Sequence, residues 1–355
     1  MISSDLASIR VLVVDDTQFY RSLIRGILEE CPGILVVDTA IDAFDAREKI
    51  KRYNPDVVTL DVEMPTMGGL EFLEKIMTLR PMPVIVVSTL TGAGTETTLA
   101  ALERGAVDCV GKPVDNSGPD RLQSFAAELE SKVRVAKIVR VRPRQVTSTP
   151  QSRTSSTHVV KDLPEVAPKL IAIGSSTGGV EALTAILTKL PAHCPPIVIA
   201  QHMPPGFTQH FAVRMTRICP FPVHEATHGM PLTPGVAVIA PGGLHMEIDR
   251  SGASLVVCLS EAAPVNRHRP SVDVLFDAVA RVKGRHALGI ILTGMGHDGA
   301  QGLLHMRQQG AFTLGQDQDS CIVYGMPGTA TKLGAVCQEV SLDLMSQAII
   351  DICRL

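Results

Sequence analysis

The chain contains no tryptophan, and aromatic residues make up only 3% of its 355 residues. That leaves little from which to build the stacking platforms that hold single-stranded nucleic acid. An excess of positive charge is also missing: 33 Lys and Arg stand against 36 Asp and Glu, a formal net charge of −3. Such a balance carries no electrostatic footprint for nucleic acid or acidic lipid, so no nucleic-acid partner is expected. The eight cysteines are scattered, and none forms a C-x-x-C pair. Several lie in apolar runs, which predicts buried, reduced thiols in a cytoplasmic protein. No uninterrupted apolar run reaches the ~20 residues a bilayer requires. The N-terminus carries Asp5 and no basic-then-apolar stretch. Neither membrane insertion nor a signal peptide is therefore expected.

What is present is ordinary globular composition, with 45% hydrophobic and 19% charged residues. At about 150 residues per domain the length suggests two domains, each able to bury a core. Short apolar runs alternate with amphipathic helical patterns in both halves. In the first half the strand-like runs are Val11–Val14, Val57–Leu60, Val84–Val87 and Asp108–Val110, with Val36–Asp38 weaker. Between them lie the helical stretches Phe19–Glu29, Ala43–Lys51, Leu70–Thr78 and Thr95–Glu103, and Leu122–Val139 closes the set. From about Arg142 to Pro168 the chain is rich in Ser, Thr, Pro and Gln without periodicity, which reads as a flexible linker. A second alternating region follows: Leu170–Ile173, Val180–Leu190, Ile197–Ala200, Val236–Ala240, Leu255–Cys258, Val272–Val282, Ala287–Leu292 and Gly299–Gln309. Continuous apolar strands alternating with helices predict α/β domains with parallel sheets covered on both faces.

In an open parallel sheet, ligands bind beyond the carboxyl ends of the strands. In the first half these ends carry Asp15 and Asp16, then Asp61, then Ser88, then Gly111-Lys112-Pro113. Converging carboxylates repel one another unless a cation sits among them, and hard oxygen ligands suit Mg²⁺. Asp61 can then act as a carboxylate nucleophile towards a phosphoryl donor. Lys112 and the Ser88 hydroxyl are placed to meet the phosphoryl oxygens. An acidic pair after one strand is also a common solvated strand end; the four elements in order are far more specific.

These residues resemble the receiver domain of two-component response regulators. The likeness covers about residues 8–125 and rests on VLVVDD, LDVEMPTMGGLEFL, VVST and GKP. It implies a flavodoxin-like fold, phosphorylation on Asp61, and Mg²⁺ held by Asp16, Asp61 and the backbone of Glu63. One departure is Cys109, at a position that is usually aromatic and moves with the switch.

In the second half Gly174-Ser175-Ser176-Thr177-Gly178 fits G-x-S-x-G, between a predicted strand and a predicted helix. A nucleophile elbow needs that context, and it would leave Ser176 Oγ exposed. Read alone, the segment is equally a glycine-rich turn or a phosphate loop. His202 follows the run Ile197–Ala200, and Asp298 follows Ala287–Leu292. Shared strand ends make Ser176, His202 and Asp298 a candidate triad: nucleophile, general base, and the carboxylate that orients the base. Backbone N–H groups at Thr177, Met295 and Gly296 are the candidate oxyanion donors. The order Ser…His…Asp differs from that of α/β-hydrolases. His224-Glu225-Ala226-Thr227-His228 matches H-E-x-x-H, but Pro220, Pro222, Gly229 and Pro231 bound it. Such flanks deny it the helix a zinc site of that type requires.

With these motifs assembled, the whole chain resembles the chemotaxis protein-glutamate methylesterase/glutaminase family. The second-half motifs are IAIGSSTGGVEAL, IAQHMPPGFT, RPSVDVLF and ILTGMGHDGAQGL. The resemblance implies a receiver domain at 8–125, a helix and linker at 126–167, and a doubly wound, mainly parallel α/β methylesterase domain at 168–355. It places the catalytic residues on Ser176, His202 and Asp298, with His297 where asparagine is usual and Ser175 where alanine is frequent. It implies hydrolysis of glutamate methyl esters, and deamidation of glutamines, on methyl-accepting chemotaxis receptors. The phosphodonor would be the chemotaxis histidine kinase. The hydrolase would need no cofactor, and the unphosphorylated receiver would cover its site, with the surface near Cys109 in the interface. Two alternatives stay open: a receiver-controlled esterase with another substrate, and a regulator whose second domain only binds a partner.

Overall fold

The structure is a computed structural model, and it describes residues 8–64, 68–89, 93–113, 119–139, 160 and 163–355. The chain divides into two compact units, Met1–Thr149 and Pro150–Leu355. Most of the predicted linker, residues 140–159 with 161 and 162, lies outside the described residues.

The first unit runs β1 (Ile9–Val14), α1 (Gln18–Glu29), β2 (Ile34–Ala40), α2 (Ala43–Tyr53), β3 (Val57–Leu60), α3 (Gly69–Leu79), β4 (Val84–Ser88), α4 (Ala93–Glu103), β5 (Asp108–Gly111) and α5 (Pro119–Ile138). Its sheet has the order β2-β1-β3-β4-β5, parallel throughout. Val57–Leu60 and Val84–Ser88 are buried along their whole length, as β-branched strands covered on both faces should be. The edge strand β2 leaves Leu35 exposed, so its sequence shows only a broken apolar run. Local signals close the helices. The Asp42 carboxylate accepts from the N–H groups of Phe44 and Asp45 to start α2, and Asn54 ends it at φ 46°. Helix α5 continues to Ile138, with Leu129, Val133 and Ala136 buried. The strand order reverses between β1 and β3, which opens the crevice where Asp15 and Asp61 lie.

The second unit runs β6 (Leu170–Ser175), α6 (Gly179–Leu187), β7 (Ile197–Gln201), α7 (Phe207–Ile218), β8 (Val223–Glu225), β9 (Ala237–Ile239), β10 (His245–Ser251), β11 (Ser254–Ser260), α8 (Val272–Lys283), β12 (Ala287–Ile291), α9 (Ala300–Gln308), β13 (Phe312–Gln316), α10 (Met326–Lys332), β14 (Gln338–Val340) and α11 (Leu342–Cys353). Seven strands form one parallel sheet in the order β14-β13-β12-β6-β7-β9-β8. The chain winds from β6 towards β8 on one side, then returns to β12 on the other. The switch point therefore falls between β6 and β12. Leu255–Cys258, read as one more alternating strand, belongs instead to β11 of an antiparallel hairpin with β10, separate from the main sheet. Gly252 at φ 61° closes that hairpin, and only one face of β11, with Leu255 and Val257, is buried.

Helix α8 and strand β6 approach each other closely. A Cβ on Gly174 would lie 2.1 Å from Val272 Cγ1, so glycine there lets the first residue of α8 rest against β6.

Candidate functional site

Strand β6 ends at Ser175, and the chain turns through Ser176, Thr177 and Gly178, the last at φ 79°, into α6. Hydrogen bonds fix this elbow on both sides. Ser176 N–H donates to Thr293 O at 3.0 Å, and Gly179 N–H donates to Ser176 O at 2.7 Å. The Gln201 side chain, at the end of β7, donates to Ser176 O at 3.0 Å and accepts from Ser175 Oγ at 2.6 Å. Gly294 packs directly on the serine; a Cβ there would stand 2.7 Å from Ser176 Cβ. Of the candidate oxyanion donors, Thr177 is buried in the elbow, and Met295 and Gly296 follow Gly294 on the exposed rim.

His202 and Asp298 meet as the sequence suggested: His202 Nε2 lies 2.8 Å from Asp298 Oδ2. The orientation is the reverse of the serine-protease arrangement, in which Nδ1 faces the carboxylate. Here Nδ1 is left over, buried and without a hydrogen-bond partner. Asp298 is 1% exposed, yet every lone-pair direction is used. Oδ2 also accepts from Val272 N–H at 2.7 Å, while Oδ1 accepts from Ser271 Oγ at 2.7 Å and Asn266 Nδ2 at 2.8 Å. The carboxylate thus sits at the N-terminus of α8, where unpaired N–H groups and the helix dipole favour negative charge. Burial pushes its pKa up, but the hydrogen bonds from His202, Asn266 and Val272 outweigh that and hold it well below the usual carboxylate range.

Several of these partners are not legible in the sequence. Ser271 caps α8 by accepting from Val274 N–H at 3.5 Å, and a serine after proline at a helix start signals such a cap. Gln201, Asn266 and His268 carry no comparable signal. The His268 ring stacks on His202, with centroids 3.7 Å apart and planes 9° from parallel. Asp273, next to the site, has its pKa raised chiefly by burial.

In the first unit the strand ends also converge. Lys112 Nζ lies 2.6 Å from Asp61 Oδ2 and 2.8 Å from Asp15 Oδ2. Burial lowers the Lys112 pKa, but the Asp61 and Asp15 carboxylates outweigh it and hold the ammonium above its usual value. Burial raises Asp15, with the neighbouring Asp61 charge adding to it. The Tyr20 ring covers the lysine at 4.5 Å from Nζ, and its hydroxyl donates to Pro113 O at 3.0 Å. Among the described residues, Asp15, Asp16 and Asp61 bring carboxylate oxygens within 4.8 Å of one another. One ammonium cannot balance three carboxylates, and the donor set is all hard oxygen, so it suits a small divalent cation. The Glu63 side chain turns away, accepting from Thr89 Oγ1 at 2.6 Å, while its N–H donates to Asp61 Oδ1 at 2.9 Å. Ser88 Oγ, fully buried, donates to Gly94 O at 3.5 Å.

The Cys109 side chain is buried, with its thiol pushed up to about 12 by that burial, so it does not itself form a docking surface. The H-E-x-x-H segment forms no helix, in line with its proline and glycine flanks: His224 lies on β8, and His228, beyond it, accepts from Leu259 N–H at 3.2 Å. Among the described residues no helix is long and apolar enough to cross a membrane.

A Ser, His and Asp gathered at one parallel sheet, in a chain that also carries an acidic phosphoacceptor-type pocket, define a class: a response-regulator domain joined to a hydrolase domain. Comparison with known proteins gives the same division. Residues 11–122 match the response regulator receiver domain family, and residues 171–349 match the CheB methylesterase family. A protein-glutamate methylesterase/protein-glutamine glutaminase of Rhizobium johnstonii is 55% identical over 97% of this chain and 96% of its own length. One from Caulobacter vibrioides is 55% identical over 98% of each chain. The crystal structure of the Thermotoga maritima CheB methylesterase catalytic domain covers 53% of this chain and all of its own, at 34% identity and a TM-score of 0.51. The chain belongs to the protein-glutamate methylesterase/protein-glutamine glutaminase family.

Proposed function

We propose that this chain is a phosphorylation-regulated serine hydrolase that removes methyl groups from glutamate methyl esters, and deamidates glutamines, on methyl-accepting chemotaxis receptors. The reaction serves adaptation in bacterial chemotaxis. The observation that carries the reading is the pairing of His202 with Asp298 at 2.8 Å beside the Ser176 elbow, with the three residues following β7, β12 and β6, three neighbouring strands of one sheet.

The chemistry follows from that geometry. Asp298 keeps the proton on His202 Nε2, so Nδ1 presents its lone pair. Ser176 Oγ attacks the ester carbonyl while Nδ1 takes its proton. N–H groups at Thr177, Met295 and Gly296 are the donors assigned to the oxyanion. Nδ1 then protonates the leaving methoxide, giving methanol and a glutamyl-serine ester. Water, deprotonated by Nδ1, attacks that ester, and the proton returns to Ser176 Oγ as glutamate leaves. An amide substrate follows the same path and releases ammonia.

In the receiver unit Asp61 accepts a phosphoryl group from the chemotaxis histidine kinase, with Lys112 facing the incoming oxygens. Asp15, Asp16 and Asp61 offer side-chain oxygens for Mg²⁺, and Glu63 contributes through its backbone. The ion would neutralise phosphoryl charge. Ser88 turns from Gly94 O towards the phosphoryl group, which changes the start of α4. The working boundaries are 8–125 for the receiver, 126–167 for helix and linker, and 168–355 for a hydrolase that needs no cofactor. The setting is the cytoplasm, where receptor signalling helices and the kinase are found.

Methanol release from a methylated receptor fragment, measured with and without a small phosphodonor, tests the reading. Release that depends on Ser176 and rises with phosphodonor is expected; a Ser176→Ala protein with parental release would refute it.

A further inference from the structure

We propose that the loop from Asn266 to Ser271 positions the hydrolase site from both flanks, with Asn266 fixing the Asp298 carboxylate and His268 fixing the plane of the His202 ring. The inference rests on the reading of Ser176, His202 and Asp298 as a triad.

The loop is built for such a task. Val265 and His268 exchange both backbone hydrogen bonds, at 2.9 and 3.1 Å. Between them Asn266 and Arg267 sit at φ 52° and 69°, the positive pair that a tight two-residue hairpin turn requires. Non-glycine residues adopt that region at a cost, and such strain persists where the surroundings enforce it. At the far end Ser271 begins α8 and donates to Asp298. The segment is therefore anchored at the turn and at the helix start, and both target side chains lie against it.

Asn266 spends both amide hydrogens. One goes to Asp298 Oδ1 at 2.8 Å and the other to Asp273 Oδ2 at 2.7 Å. The amide cannot rotate without losing a hydrogen bond to each carboxylate, and it separates two carboxylates that would otherwise repel. Asp273 is itself tied to α9, accepting from Gly302 N–H at 2.7 Å. The orientation of Asp298 is thereby referred to two helices.

His268 acts on the other partner. A single hydrogen bond from Nε2 leaves the His202 ring free to tilt about that contact. Nδ1 has no partner of its own to fix the ring plane. A second ring lying 3.7 Å away and 9° from parallel supplies the missing constraint, and it covers one face of the imidazole against water. The direction of the Nδ1 lone pair then follows from the stack. Reacting groups must be held to within a fraction of an ångström for efficient proton transfer. Asn266 and His268 touch no reacting atom, so they are positioning residues.

The test uses the full chain with His268→Ala, His268→Phe and Asn266→Ala. Two readouts are taken: the rate at which a fluorophosphonate labels Ser176, and kcat and KM for methanol release. His268→Ala and Asn266→Ala should slow labelling and lower kcat by about ten- to a hundredfold, with KM little changed. His268→Phe keeps a flat ring and should restore both rates to within a few-fold of the parent. Parental rates in His268→Ala and Asn266→Ala, or a folded His268→Phe as slow as His268→Ala, would overturn the inference. A parent whose Ser176 is not labelled at all would instead overturn the triad reading, and this inference with it.

Discussion

Replacing Asp298 with asparagine changes one oxygen to an NH2 group and removes a charge at almost constant volume. Oδ2 accepts from His202 Nε2 at 2.8 Å and Val272 N–H at 2.7 Å. Oδ1 accepts from Asn266 at 2.8 Å and Ser271 at 2.7 Å. Whichever way the amide sits, its NH2 faces a donor, either the fixed Val272 N–H or the Asn266 amide. Leaving such a buried group unpaired costs about 1–3 kcal/mol of stability. The catalytic effect is larger. An imidazolium 2.8 Å from a carboxylate gains about 6 kcal/mol at an effective dielectric of about 20. Losing that attraction is worth on the order of 10⁴ in rate, part of which the amide dipole recovers. Asp298→Asn should therefore lose about 10³- to 10⁴-fold in kcat with KM little affected. Its melting temperature should fall as well. Steady-state methanol release and thermal melts followed by circular dichroism read both effects. A folded Asp298→Asn protein with kcat within tenfold of the parent would refute the assignment of His202 as base and Asp298 as its partner.

The same carboxylate gives a pH signature. Its folded pKa is depressed, so its stabilisation is complete above the unfolded value of about 3.9 and is lost only as pH falls through the folded value. The melting-temperature gap between the parent and Asp298→Asn should be full at neutral pH and shrink in strong acid; a gap that widens on acidification would contradict this. Asp61→Asn should abolish phosphoryl uptake from acetyl phosphate, and label persisting on that protein would place the acceptor elsewhere. Gly294→Ala should cost about 1–3 kcal/mol by overpacking and slow Ser176, because its Cβ would stand 2.3 Å from Met326 Sδ and 2.7 Å from Ser176 Cβ; unchanged melting and turnover would show that the neighbours yield freely. A fragment beginning near Pro168 should turn over faster than the unphosphorylated full chain, and equal rates for fragment, resting and phosphorylated protein would remove autoinhibition.

The legible parts of the fold are those where burial is simplest. Val57–Leu60 is buried on both faces, and its apolar run gives the strand and its end residue, Asp61, directly. The same holds for Ile197–Gln201 before His202. Strand β13 escapes the pattern, because it buries the polar Thr313 and Gln316 and so lacks a continuous apolar run. Helix α7 buries Phe207, Phe211 and Met215 at helical spacing, but it follows directly on Pro204-Pro205, a segment that reads as a turn. In the candidate site the chemistry-bearing residues are readable because each ends a strand. Their supports are not. Asn266 and His268 reach the site through a hairpin turn whose positive-φ residues are not glycine, so nothing in the sequence marks it as tight. The reversed histidine is equally hidden, since which ring nitrogen meets Asp298 depends on the rotamer His202 takes in the fold.

The origin of the supports bears on how the two units can communicate. Beyond one another, Ser176, His202 and Asp298 hydrogen-bond to Ser175, Gly179, Thr293, Gln201, Asn266, Ser271, Val272 and Asp273, all within Pro150–Leu355. The hydrolase site is thus assembled by its own sheet and by the N-terminus of α8, and Asp298 already holds its full set of donors. If Asp61 is phosphorylated as proposed, that modification has no missing donor of the site to supply. On the proposed reading control acts on what reaches the site rather than on how it is built, for which a small change in a docking equilibrium is enough. The charged pocket of the receiver is held by a single lysine. Lys112 holds Asp15 and Asp61 together at 2.8 and 2.6 Å, and phosphoryl charge at Asp61 competes for that lysine directly. Each site is thus held by side chains of its own unit.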